Sequence, residues 1–242
     1  VFRKLHTPGF EGWTICRYRQ TSGRTPEGDP ELIIEDLAED GVDAGVMHPN
    51  LSLFGLYSDD HELSMAHARV YNDYVAERFT PYFDRIVPTA PVPITDIGGA
   101  VAEIERNAAR GVPAVCFSEI PPKLGLPSIH TGDWDPFFAA CAATNTVVCM
   151  HIGSSSQMPA TSPDAPPAVA ATLSFNDAMA SLSDFLFSGV LVRYPTLTLA
   201  YSEGQIGWLP YVLERADDVW REHRAWGGVA AQVPEPPSTY YY

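Results

Sequence analysis

The sequence predicts an α/β protein in which a parallel sheet is covered by helices. Three observations carry this. Short apolar runs alternate with longer amphipathic ones, the short runs are apolar throughout rather than at every second residue, and the β-α rhythm repeats five times. Strands that are apolar on both faces must be covered on both, which is the condition of a parallel sheet with helices outside it.

The first strand is read at Asp43–His48, closed by Pro49, which cannot extend a ladder. Leu63–Phe79 follows as a helix, with Ala66, Val70, Tyr74 and Val75 near helical spacing. Arg85–Val92 reads as a strand despite its prolines. Thr95 or Asp96 then caps a helix through Ala100, Ile104 and Ala108 that stops at Gly111. Pro113–Ser118 is the third strand. Trp134–Asn145 is a helix opened by Asp133 or Asp135, and Val147–His151 the fourth strand. A helix around Asp177–Phe187, a strand at Leu197–Ser202 and a helix at Ile206–Arg224 complete the series.

All of this reads as one domain over residues 1–242, with 1–40 and 154–171 as active-site loops. The early segment has little periodicity around Gly9, Trp13, Gly23 and Pro26, and the later one is rich in Ser, Pro and Ala.

Composition excludes several functions. A net charge of −15 and a pI near 4.7 oppose nucleic-acid or anionic-membrane partners, which need clustered Lys and Arg. No apolar stretch approaches the roughly 20 residues of a membrane helix. Neither G-x-G-x-x-G nor G-K-[ST] follows a strand, so no nucleotide cofactor is expected. A serine hydrolase is disfavoured because G-x-S-x-G is absent. The four cysteines show no C-x-x-C spacing, and three lie in apolar runs, which points to a reducing compartment, the cytoplasm.

Chemistry in a barrel sits where strands end. The residues at such ends are His48, Ser118 with Glu119, His151, and Ser202 with Glu203. A neutral imidazole and a carboxylate converging there can hold a divalent cation that acidifies water or polarises a carbonyl. Each residue also has a structural role open to it. His151 could be a satisfied core histidine, Glu203 could cap the next helix, and His48 could be a loop residue. Glu119 is the weakest carboxylate candidate, beside a turn at Pro121 and Pro122. Ser154 and Ser155 could hydrogen-bond a substrate. Trp13 and Trp208 could wall it, with core packing the stronger role for Trp208.

The segments WDPFFAACAATNTVVCMHIGSSS and RYPTLTLAYSEGQIGWLPYVLERADDVW resemble the amidohydrolase-related family of metal-dependent barrel enzymes. This is the branch that includes aminocarboxymuconate semialdehyde decarboxylase and the resorcylate decarboxylases. The resemblance runs from GFEGW at Gly9–Trp13, through DGVDAGVMHP, to Trp226. It implies a distorted (β/α)8 TIM barrel with one divalent metal ion, zinc or else manganese, and a homodimer. Family ligands come from an H-x-H or E-x-H pair on strand one, a histidine on strand five and an aspartate on strand eight. His151 matches the fifth-strand ligand. Glu203 stands where many decarboxylases have a histidine. The strand-one pair and the strand-eight aspartate occur nowhere in the 242 residues, so the five strands fit family strands two to six. The missing pieces are then expected beyond both ends.

The resemblance implies a metal-dependent hydrolase of a small organic substrate, with His151 a ligand and Glu203 a general base or an orienting group. Trp13, His48, Ser154 and Ser155 are the substrate-side residues. The alternatives are a metal-dependent non-oxidative decarboxylase of a small carboxylic acid, and a metal-free scaffold on a degenerate barrel.

Overall fold

The computed structural model describes residues 28–49, 60–156, 159–229 and 231–241. Five strands form one parallel sheet: β1 (Gly45–Met47), β2 (Ile86–Ala90), β3 (Ala114–Phe117), β4 (Val147–His151) and β5 (Leu199–Ser202). Each strand pairs with the next in sequence, giving the order β1-β2-β3-β4-β5. A doubly wound sheet reverses direction at a switch point, whereas a barrel keeps adding strands on one side. The order is that of a barrel.

The sheet is also curled into half a barrel. In a flat sheet β1 and β5 would lie about 19 Å apart, four spacings of roughly 4.8 Å. Yet His48, just past β1, meets Ser202 at the end of β5 with Nε2 and Oγ 2.8 Å apart. Only strong curvature brings those two strand ends together.

Eight helices accompany the strands among the described residues. The first, α1 (Pro30–Glu39), corrects the expectation of a loop for the last part of residues 1–40; the part of that expectation over residues 1–27 lies outside the described residues. Asp29 caps it by accepting from the Leu32 amide, and Pro30 stands at its first position, where a missing N–H costs nothing. Next come α2 (His61–Phe79), capped by Asp60, and α3 (Ile97–Ala108), capped by Asp96. Gly99 allows that second cap, because a Cβ there would lie 2.6 Å from the Asp96 carboxylate. The helix α4 (Asp135–Thr144) has no side-chain cap from Asp133, whose carboxylate instead accepts from the Thr131 hydroxyl. Asn145 ends it in the left-handed conformation, at φ 57°.

The loop expected over 154–171 holds the start of a short helix, α5 (Pro167–Leu173), which Pro167 opens. Then follow α6 (Asn176–Ser188), α7 (Val190–Arg193) and α8 (Leu209–His223). The last begins three residues later than Ile206, because Glu203 and Gln205 adopt positive φ and the chain turns first.

Side chains alternate along each strand. Val115, Phe117, Val148 and Met150 face the helices, where Phe117 meets Trp134, Phe137 and Phe138 with ring centroids 4.9–5.8 Å apart. Thr89, Cys116 and His151 take the other face. Pro88 fits inside β2 because that strand pairs β1 over Ile86–Pro88 and β3 only from Thr89. Away from the sheet, Glu103 of α3 is buried and accepts from Asn72 (2.9 Å), Asn107 (3.0 Å) and Arg106 (2.9 Å), tying α3 to α2. Trp208 packs with Leu182, Leu186 and Leu213, the core role expected for it.

Candidate active site

The site lies where β1, β4 and β5 end. Parallel pairing sets His151 opposite Ser202, so the residue after Ser202 emerges beside the imidazole. Strict pleating would aim Glu203 at the helices. Its backbone is left-handed instead, at φ 60°, a conformation that costs a non-glycine residue energy and that clusters at functional sites. The turn leaves Glu203 Oε1 3.5 Å from His151 Nε2. Gly204 permits it, since a Cβ there would come within 2.9 Å of Ala178 Cβ.

The hydrogen bonds assign the tautomer of His151. Its Nδ1 lies 2.9 Å from the Ile152 carbonyl, which can only accept, so Nδ1 carries the proton. The lone pair of Nε2 therefore faces the Glu203 carboxylate. Two lone-pair donors 3.5 Å apart are satisfied by a shared cation or by a proton on Nε2. Nitrogen and oxygen donors on tetrahedral zinc stand about 3.4 Å apart, so the spacing fits two donors of one small ion. His151 is 28% exposed and Glu203 68%, which leaves room for further ligands or solvent. Among the described residues no third Asp, Glu, His or Cys joins them.

His48 is the neighbour of His151, with ring centroids 5.1 Å apart and edge to face. Thr89 Oγ1 donates to the Met47 carbonyl, so it accepts from His48 Nδ1 at 3.2 Å. Nε2 of His48 is left to accept from Ser202 Oγ. Burial first, and His151 second, hold the His48 imidazole below its ordinary pKa, with Glu203 opposing them. His48 is thus a neutral ring with both nitrogens engaged by the protein. Neither ring nitrogen is left free for a ligand.

The two loop serines are placed differently from expectation. Both are buried, Ser154 Oγ accepting from the Glu119 amide at 2.9 Å and Ser155 Oγ donating to Asp177 at 2.9 Å. They fasten the turn after β4, because the Gly153 bend folds their hydroxyls inward. Trp13 lies outside the described residues. Sequence reasoning ranked Glu119 low and did not single out Thr89 or Asp177. A threonine one strand away from a histidine has no one-dimensional signal.

Cys116, Cys141 and Cys149 are buried and free, and burial pushes their thiols up to about 12, 12 and 11, so none is a nucleophile at neutral pH. A groove of about 450 Å³ runs along β5, lined by Leu197, Leu199, Trp208 and Tyr240, away from the imidazole pair.

A family model described as amidohydrolase matches residues 13–241. The chain belongs to the amidohydrolase family. Solved structures share its fold. An amidohydrolase of Mycobacterium avium subsp. paratuberculosis K-10 aligns at 20% identity and a TM-score of 0.68, over 90% of this chain and 59% of that one. The 5-carboxyvanillate decarboxylase LigW of Sphingomonas paucimobilis aligns at 19% and 0.66, over 86% and 61%. A 5-carboxyvanillate decarboxylase of Novosphingobium aromaticivorans, solved with manganese bound, aligns at 23% and 0.62, over 83% and 56%. This amidohydrolase chain therefore spans about six-tenths of the length of these structures. No curated protein matches it. No helix among the described residues is long and apolar enough to cross a membrane.

Proposed function

We propose that this chain forms the His151–Glu203 face of a metal-dependent hydrolase acting on a small organic substrate. One divalent cation is required, zinc in the first instance and manganese in the second. The observation that supports this is the pairing of a tautomer-fixed imidazole with an exposed carboxylate at 3.5 Å. The cation supplies Lewis acidity, polarising a substrate oxygen and acidifying water.

The chain's own residues do the rest. The Ile152 carbonyl keeps the proton on Nδ1 and aims Nε2, as outer partners of ligating histidines do. Glu203 Oε1 faces His151 Nε2, which leaves its other oxygen to take a proton from the attacking water and return it to the leaving group. His48 stays neutral and fixed, and forms a wall of the pocket beside His151. The setting that fits best is a homodimer in a reducing cytoplasm, with three buried free thiols.

A second reading, non-oxidative decarboxylation, is favoured by the decarboxylases among the structures that share the fold. There the cation would hold the substrate carboxylate or a neighbouring hydroxyl. It ranks second because the Glu203 carboxylate would repel an anionic substrate at the same position. A substrate panel separates the two by release of ammonia or a new carboxylate against release of carbon dioxide. Loss of turnover on chelation and in His151→Ala supports either enzyme. Turnover that survives both would sink the metal-dependent reading, and absence of stoichiometric metal and of turnover would leave the scaffold.

A further inference from the structure

Beneath the turn that follows β4 lies a carboxylate with no role in the chemistry above. Glu119, just past β3, is 3% exposed, and neither of its oxygens accepts a hydrogen bond of normal geometry. Ser118 Oγ beside it is equally buried and unpartnered. Buried polar groups are nearly always satisfied, and an orphaned carboxylate is the costliest exception when it is charged.

The charged and titratable groups facing Glu119 come from three elements. Asp177 of α6 is a like charge, already engaged by Lys123 at 2.6 Å and by Ser155. Lys123 belongs to the single helical turn Pro121–Leu124. Tyr201 of β5 is held neutral by burial. Lys123 thus answers one of two carboxylates, and the second is left for a proton. Burial, with Asp177 next, pushes the Glu119 carboxyl up to about 7, while the nearby Gly153 amide and Lys123 oppose the rise.

What covers Glu119 is the turn itself. The Glu119 amide donates to Ser154 Oγ, Ser155 Oγ donates to Asp177, and the Ser154 amide donates to the His151 carbonyl at 3.0 Å. The other groups in its electrostatic reach include Asp177 of α6 and Tyr201 of β5, which belong to regular elements. Opening the turn is the cheapest way for an ionised Glu119 to reach water.

We propose that Glu119 is a proton-operated latch that closes the Gly153–Ser156 turn when protonated and releases it, loosening His151, when ionised. Its effect on His151 as a metal donor rests on the function proposed above; the latch does not. Glu119 is accordingly a positioning residue.

Hydrogen exchange of the Gly153–Ser156 amides in the metal-free protein, corrected for intrinsic rates, tests it between pH 5.5 and 8.5. Protection should fall by about tenfold per pH unit as pH rises to about 7 and level off above it, as expected for one proton held by the closed turn and lost on opening. In Glu119→Gln it should stay flat. An unchanged fall in Glu119→Gln, or no fall in the wild type, overturns the latch. Should Glu119→Gln fail to fold, wild-type protein labelled with ¹³C-carboxyl glutamate gives the same decision. One glutamate should titrate near pH 7, where the fall in protection ends, and all glutamates titrating in the ordinary carboxylate range would refute it. Because no metal is present, failure here leaves the hydrolase reading untouched, and failure of metal binding leaves the latch standing.

Discussion

His48 Nε2 and Ser202 Oγ lie 2.8 Å apart across a gap that joins the first strand of the sheet to the fifth. The contact closes the half-barrel at the end where β1, β4 and β5 finish and fixes the His48 ring next to His151. Both groups are part-buried, so removing the hydroxyl leaves a nitrogen acceptor without its donor.

Ser202→Ala should therefore destabilise the chain by about 1–2 kcal/mol. Denaturant unfolding read by the five tryptophans measures this. His48→Ala in the Ser202→Ala background should cost less than in the wild type, since the partner is already gone.

Gly204→Ala should cost about 1–3 kcal/mol by overpacking, because the new methyl group meets Ala178 of α6. It should also weaken metal binding, as the left-handed turn that sets Glu203 cannot keep its place. Thermal unfolding and a metal titration on the same variant check both.

Glu103→Ala should be the most damaging of these substitutions, at about 3–5 kcal/mol, because it leaves Arg106 and two asparagines without their shared acceptor. Burial works against the Glu103 charge, but hydrogen bonds from Arg106, Asn72 and Asn107 prevail and hold its carboxyl below the ordinary range. With the folded value depressed, the unfolded chain binds the proton more readily. The stability this group adds is present above the ordinary glutamate range and is lost as pH falls through the folded value. Acid unfolding of the wild type should therefore steepen below about pH 4.5, and less so in Glu103→Ala.

The sheet was legible because its five strands are apolar throughout and regularly spaced, and His151 was legible because an apolar run stops on it. Helix α1 was missed because its apolar residues follow a long aperiodic stretch, although Asp29-Pro30 is an N-cap and first-position signal in plain view. Of the two aspartates offered to open α4, Asp135 is its first residue, while Asp133 turned to Thr131, a local competition that spacing does not resolve. Ser154 and Ser155 looked like pocket residues by composition. Their inward hydroxyls depend on Asp177 and the Glu119 amide, which lie 22 and 35 residues away. The latch at Glu119 is invisible in one dimension, since what defines it is the absence of partners around a buried carboxylate.

The claim that His151 and Glu203 face a shared cation is tested most directly by titrating Mn²⁺ into the protein and following the histidine ring resonances. The His151 signal should broaden first, with His48 next, while the exposed His130 remains sharp, and Glu203→Gln should raise the Mn²⁺ concentration needed by tenfold or so. A His151 resonance that stays sharp while others broaden, or a response identical in Glu203→Gln, would contradict the metal-donor pair.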